Sequence, residues 1–138
     1  MNLAKLYAQV FGIVLTLVGI VSFVPAIQSP APGVVPAGSY IVFGLFAVNP
    51  LHNVIHLLTG LLGLYAGFAV GGRYARWYAL VFGVVYALVT VIGIVQINTI
   101  LGLIPINVLD DVLHAALAVL GLGAYFLSTS ANTKMAAA

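Results

Sequence analysis

Three histidines and two aspartates stand in or beside otherwise apolar runs, and their spacing is that of a ligand set. His52 and His56 are four residues apart, which on a helix puts them one turn apart on one face. Asp110 and His114 repeat that interval further along. Three imidazoles and a carboxylate suit a divalent transition metal such as zinc, or iron with added water, because these ions take neutral imidazole and carboxylate ligands. Asn53 and Asp111 each follow the first member of their pair, where they can orient the ring nitrogens. The candidate metal ligands are therefore His52, His56, Asp110 and His114, supported from behind by Asn53 and Asp111. The blander reading has each histidine hydrogen-bonded to a neighbouring helix or loop carbonyl, and both aspartates answering a helix dipole. Against it stands the cost of an ionisable group inside a membrane, which makes such groups functional more often than not.

The two pairs occupy matching places in an internal repeat. Asn49-Pro50-Leu51-His52-Asn53-Val54-Ile55-His56 returns as Asn107-Val108-Leu109-Asp110-Asp111-Val112-Leu113-His114, an offset of 58 (49 to 107). The run Tyr7–Val14 returns as Tyr78–Val85, an offset of 71 (7 to 78). Asn49 before Pro50 reads as a helix cap followed by proline in the first turn, and Asn107 is the matching cap. Beyond the histidines, Gly60, Gly63 and Gly67 on one helix, and Ala118, Gly121 and Tyr125 on the other, continue the same stripe. Small residues at this spacing let membrane helices approach, so the stripe predicts that the two histidine helices touch.

Composition supplies the medium. Of 138 residues, 64% are hydrophobic and 4% charged, too few charges to cover a water-soluble surface. Mean hydropathy is +1.25. The length fits one domain, 1–138. The absence of cysteine removes disulfides, thiolate metal sites and thiol nucleophiles. Four scattered basic residues form no nucleic-acid patch, despite the net charge of +2. No phosphate-cradling glycine loop, metalloprotease helix motif or serine nucleophile elbow is present.

Four apolar stretches near 6–27, 51–70, 77–97 and 108–128 have the roughly 20-residue length of a membrane helix. They group into repeat one, 6–70, and repeat two, 77–128. Lys5, Arg73, Arg76 and Lys134 all fall on one side of that layout, and both acids on the other. The positive-inside rule then makes both termini cytoplasmic and the histidines extracytoplasmic. Trp77, Tyr7, Tyr74 and Tyr78 near the basic side read as interfacial anchors. The tail 129–138 reads as a frayed terminus. Residues 28–48 end in an apolar run too short to span, expected at the interface or folded over the outer mouth of the bundle.

At Phe43-Gly44-Leu45-Phe46-Ala47-Val48-Asn49-Pro50-Leu51-His52-Asn53-Val54-Ile55-His56, and again at 110–114, the chain resembles a bacterial family of small four-span integral membrane proteins, known only as a domain of unknown function. The family pattern carries Pro where Ala47 stands and Asn where Asp111 stands. The resemblance covers nearly the whole chain and implies a multi-pass protein of the bacterial inner (plasma) membrane. It brings no activity, substrate or cofactor.

The fold expected is all-α: a four-helix membrane bundle made of two helical hairpins, related by a two-fold pseudo-axis along the membrane normal. The leading functional expectation is a non-enzymatic accessory or helix-packing subunit, in contact with the bilayer and with other membrane subunits or further copies of itself. The alternative is a metal- or cofactor-binding protein with its His/Asp site at the extracytoplasmic mouth. A transporter or channel comes last, because the inner half offers few ionisable groups for a polar path.

Overall fold

Long apolar runs leave the backbone few ways to satisfy its own polar groups away from water, and the chain takes the helical one four times. The computed structural model describes residues 2–31, 33, 36 and 38–128. Its helices are α1 (Leu3–Val21), α2 (Pro50–Phe68), α3 (Ala75–Gln96) and α4 (Val108–Leu127). All four are long and apolar enough to cross a membrane, as in a multi-pass membrane protein.

The helix bounds fall close to the expected spans except in α1, which starts at Leu3 and stops at Val21. Asn2 caps its start by accepting the Lys5 N–H at 3.1 Å. Pro25, with no N–H to give, opens a separate short turn over Pro25–Ile27. Lys134 and the tail 129–138 lie outside the described residues.

Packing is strongest within two pairs, α1 on α2 and α3 on α4. Glycine makes this approach close. A Cβ on Gly12 would lie 2.5 Å from the Leu64 backbone nitrogen, and one on Gly83 2.9 Å from that of Leu122. The stripe expected to join the two histidine helices is spent mostly inside these pairs, since Gly60 and Gly67 face Thr16 and Gln9 of α1.

Two tyrosines stand between the pairs. Tyr7 donates its hydroxyl to the Leu117 carbonyl at 3.1 Å and lies against Gly121. Tyr78 donates to the Thr59 carbonyl at 3.2 Å and lies against Gly63. The donors correspond at the offset of 71, and the acceptors and glycines at 58. The rings sit 6.0 Å apart in a layer that includes Ala4, Ala8, Ala66, Ala75, Ala79 and Ala124. Tyr7 and Tyr78 are thus core residues and not the interfacial anchors expected of them, because they share a helix face with Ala4, Ala8 and Gly12, or with Ala75, Ala79 and Gly83. Trp77, 65% exposed, and Tyr74 do face outward.

At the end away from Lys5, Arg73 and Arg76, short strands cover the bundle. β1 (Gln28–Pro30), β2 (Tyr40–Val42) and β3 (Phe46–Val48) form an antiparallel sheet, and β4 (Thr99–Ile100) pairs with β5 (Ile104–Pro105). The turns joining β2 to β3 and β4 to β5 close with Leu45 N–H to Val42 carbonyl and Leu103 N–H to Ile100 carbonyl, both at 3.0 Å. Their central residues, Phe43-Gly44 and Leu101-Gly102, all have positive φ, the backbone of a mirror-image hairpin turn. Asn49 donates from its side chain to the Leu103 carbonyl, and Asn107 to the Leu45 carbonyl. Each hairpin's helix cap thereby holds the other hairpin's turn.

A candidate metal centre of three histidines

The helix starts decide where the histidines point. Asn49 accepts the His52 N–H at 2.9 Å and Pro50 takes the first turn, so His52 lies in that turn and His56 one turn deeper on the same face. Asn107 accepts the N–H groups of Leu109 and Asp110 at 2.9 and 3.0 Å, and α4 then presents His114 at the depth of His56.

His52, His56 and His114 come together. Their exposures are 3%, 6% and 3%. One ligating nitrogen from each lies within 4.8 Å of the other two. Ring centroids are 4.4 Å apart for His52 and His56, 6.0 Å for His52 and His114, and 6.5 Å for His56 and His114. All three Nδ1 atoms are buried without a hydrogen-bond partner among the described residues. An orphaned buried polar atom costs about 1–3 kcal/mol, so three together are a costly arrangement unless something binds them.

The three imidazoles are a group that could hold a metal ion. Tetrahedral nitrogen ligands at about 2.0–2.1 Å from zinc stand about 3.3 Å from one another. The three rings line a cavity of about 70 Å³ together with Thr59, Phe82, Tyr86 and Val89 of the helices and Ile104 and Ile106 of the covering segment. Tyr86 also stacks on His114 at 5.4 Å, fixing that ring's tilt.

Asp110 is placed differently. Its Oδ2 accepts the Asn107 N–H at 2.8 Å, closing a capping box, and the Ala47 N–H of β3 at 3.0 Å. The carboxylate thus fastens the covering sheet to α4, and the convergent nitrogen set contains only the histidines. Asn53 is fully buried and donates to the Tyr40 hydroxyl at 2.6 Å. Asp111 turns toward α3, where a Cβ on Gly93 would meet its Oδ1.

Tyr86, Thr59 and Tyr40 carry no sequence motif. One signal existed for Tyr86: it replaces Leu15 where the two copies otherwise align, beside the histidines. The turns offered another, since Gly44-Leu45 and Gly102-Leu103 extend the 58-residue repeat back through the strands.

No curated protein and no solved structure shows significant similarity to the chain. A family model does match, over residues 5–127, nearly the whole of the sequence. The chain belongs to that family, which is described as a domain of unknown function, DUF4383.

Proposed function

We propose that this is a multi-pass membrane protein that holds one divalent transition-metal ion, zinc or iron, between His52, His56 and His114, in a sensing or delivery role. The observation that carries the reading is the convergence of three buried imidazoles whose Nδ1 atoms have no partner among the described residues. Asp110 acts beside the centre, fastening the covering sheet to α4.

The accompanying architecture is a tandem pair of hairpins with two-fold pseudo-symmetry, termini on the cytoplasmic side of a bacterial inner membrane. The reciprocal tyrosine and asparagine hydrogen bonds support the symmetry. The one-sided placement of Lys5, Arg73, Arg76 and Lys134 supports the orientation.

The test is elemental analysis of protein purified in mild detergent without a histidine tag, before and after incubation with zinc or ferrous iron. Near-stoichiometric metal, lost in the His56→Ala, His114→Ala variant, is the expected result. A wild-type protein that stays metal-free after incubation overturns the reading.

A second reading, an accessory or self-associating subunit, rests on an apolar groove of about 470 Å³ between α1 and α4, lined by Leu6, Val10, Leu120 and Gly123 among others. A Cβ on Gly123 would meet nothing within 4 Å, so no contact inside the bundle requires a glycine there. Co-purification of a second membrane chain, lost on filling the groove with Gly123→Phe, would favour it.

A further inference from the structure

The cavity beside the histidines is a slot between α2 and α3. His52, Ile55, His56 and Thr59 line it from α2, Val85 and Tyr86 from α3, and His114 from α4. Ile55 and Val85 are also 38% and 42% exposed, so the slot reaches the outer surface between the two helices. On helices long and apolar enough to span, that surface is the one turned to lipid. At the covered end Ala47, Val48 and Ile106 are buried, which closes the other side.

The two hydroxyl residues of the slot stand where the repeats differ. Thr59 corresponds to Leu117 at the offset of 58, and Tyr86 to Leu15 at the offset of 71. Leu15 and Leu117 are both buried in one core cluster. Leucine therefore fills the places on α1 and α4 whose counterparts on α2 and α3 carry a hydroxyl beside the imidazoles. Thr59 gives its proton to the Ile55 carbonyl at 2.7 Å. Tyr86, stacked on His114, is left as the hydroxyl donor of the slot.

We infer that the slot admits dioxygen from the lipid phase to an iron ion on His52, His56 and His114, with Tyr86 donating a hydrogen bond to the bound gas. The inference rests on the metal reading and narrows it to iron and to gas sensing. Size, polarity and route select the ligand. At about 70 Å³ the slot is about half the volume of a 150 Å³ cavity that takes benzene, which leaves room for a molecule of two or three atoms. Aliphatic walls offer water no hydrogen bonds, and a neutral gas crosses lipid where an ion does not. Three protein ligands leave iron open positions. Bound there, dioxygen draws electron density from ferrous iron and becomes an acceptor for Tyr86; the density returns to the metal when the gas leaves. Zinc has no such density to lend. Carbon dioxide is of similar size, but its hydration product is an anion, and neither the apolar mouth nor the covered end gives an anion a way out.

The experiment loads the full chain, in lipid nanodiscs and without oxygen, with ferrous iron and adds nitric oxide. This probe matches dioxygen in size, and its ferrous adduct is read by electron paramagnetic resonance. Wild type should form close to one adduct per bound iron. Val85→Trp, which plugs the mouth from an outward-facing position, should suppress the adduct while iron content and unfolding temperature stay unchanged. Ile55→Trp repeats the plug from α2. Tyr86→Phe should still form the adduct but release nitric oxide about fivefold faster, the equivalent of one hydrogen bond of about 1 kcal/mol. Iron-loaded protein that forms no adduct overturns the inference and leaves the metal reading standing, as does a protein that keeps zinc and rejects iron. Plugged variants that react like wild type overturn the lipid route, and an unchanged release from Tyr86→Phe overturns the role of Tyr86. A protein that takes up neither metal overturns both readings.

Discussion

Replacing Gly12 by alanine tests whether the backbone contact between α1 and α2 sets the geometry of the bundle. The added Cβ would sit 2.5 Å from the Leu64 nitrogen and 2.7 Å from the Gly63 carbonyl carbon, where ordinary contact begins at 3.4 Å. Both obstructing atoms are backbone, so no side chain can rotate out of the way. The seam has to open by about 1 Å, and overpacking of this kind costs about 1–3 kcal/mol, here toward the upper end because two helices must move. Alanine's better helix propensity returns about 1 kcal/mol, leaving a net loss of about 2 kcal/mol. Gly123→Ala is the matched control, since a Cβ there meets nothing within 4 Å. It should be neutral or gain up to about 1 kcal/mol. Reversible unfolding in mixed detergent micelles, followed by circular dichroism, measures both. If Gly12→Ala proves as stable as wild type, or if the two variants shift alike, the close seam does not carry the packing argued for it.

Asp110→Ala removes the acceptor shared by the Ala47 and Asn107 N–H groups, which should cost about 2–4 kcal/mol. Hydrogen exchange should show the amide of Ala47 losing protection while mid-helix amides of α1 and α3 keep theirs; unchanged protection at Ala47 would refute the fastening role. Because the sequence contains no cysteine, a single introduced one reports orientation. Leu103→Cys, in the turn between β4 and β5, should react with a membrane-impermeant maleimide on intact cells, and Tyr74→Cys only after the membrane is opened. The opposite pattern would overturn the cytoplasmic placement of the termini.

Much of this arrangement is visible in the residues. Apolar length marks the four helices, the Asn49 and Asn107 caps mark where α2 and α4 begin, and the repeat puts His56 and His114 at equal depth. The covering strands were hidden because they are only two or three residues long, and because Phe43 and Leu101 take positive φ at turn positions where glycine, asparagine or aspartate would have been the cue. Tyr7 and Tyr78 lie near the basic end, as interfacial aromatics do, yet they point inward. Helical phase, which sets Tyr7 beside Ala4 and Ala8, was the better guide. The position of Asp110 could not be foreseen from spacing. Its carboxylate is occupied by an N–H 63 residues earlier in the chain, a pairing that only tertiary structure creates.

The crossed bonding gives the histidine cluster a place in time as well as in space. α1 and α2 can close their glycine seam as soon as both are in the membrane, before α3 and α4 have been made. That first hairpin already holds His52 and His56 but lacks His114, the acceptor for Tyr7 and the carboxylate that fastens β3. Until the second hairpin docks, the turn before Asn49 and the cap of α4 are both untied. The complete triad is therefore a late product of biogenesis, and a chain arrested after its first two helices would carry two histidines with no third to join them.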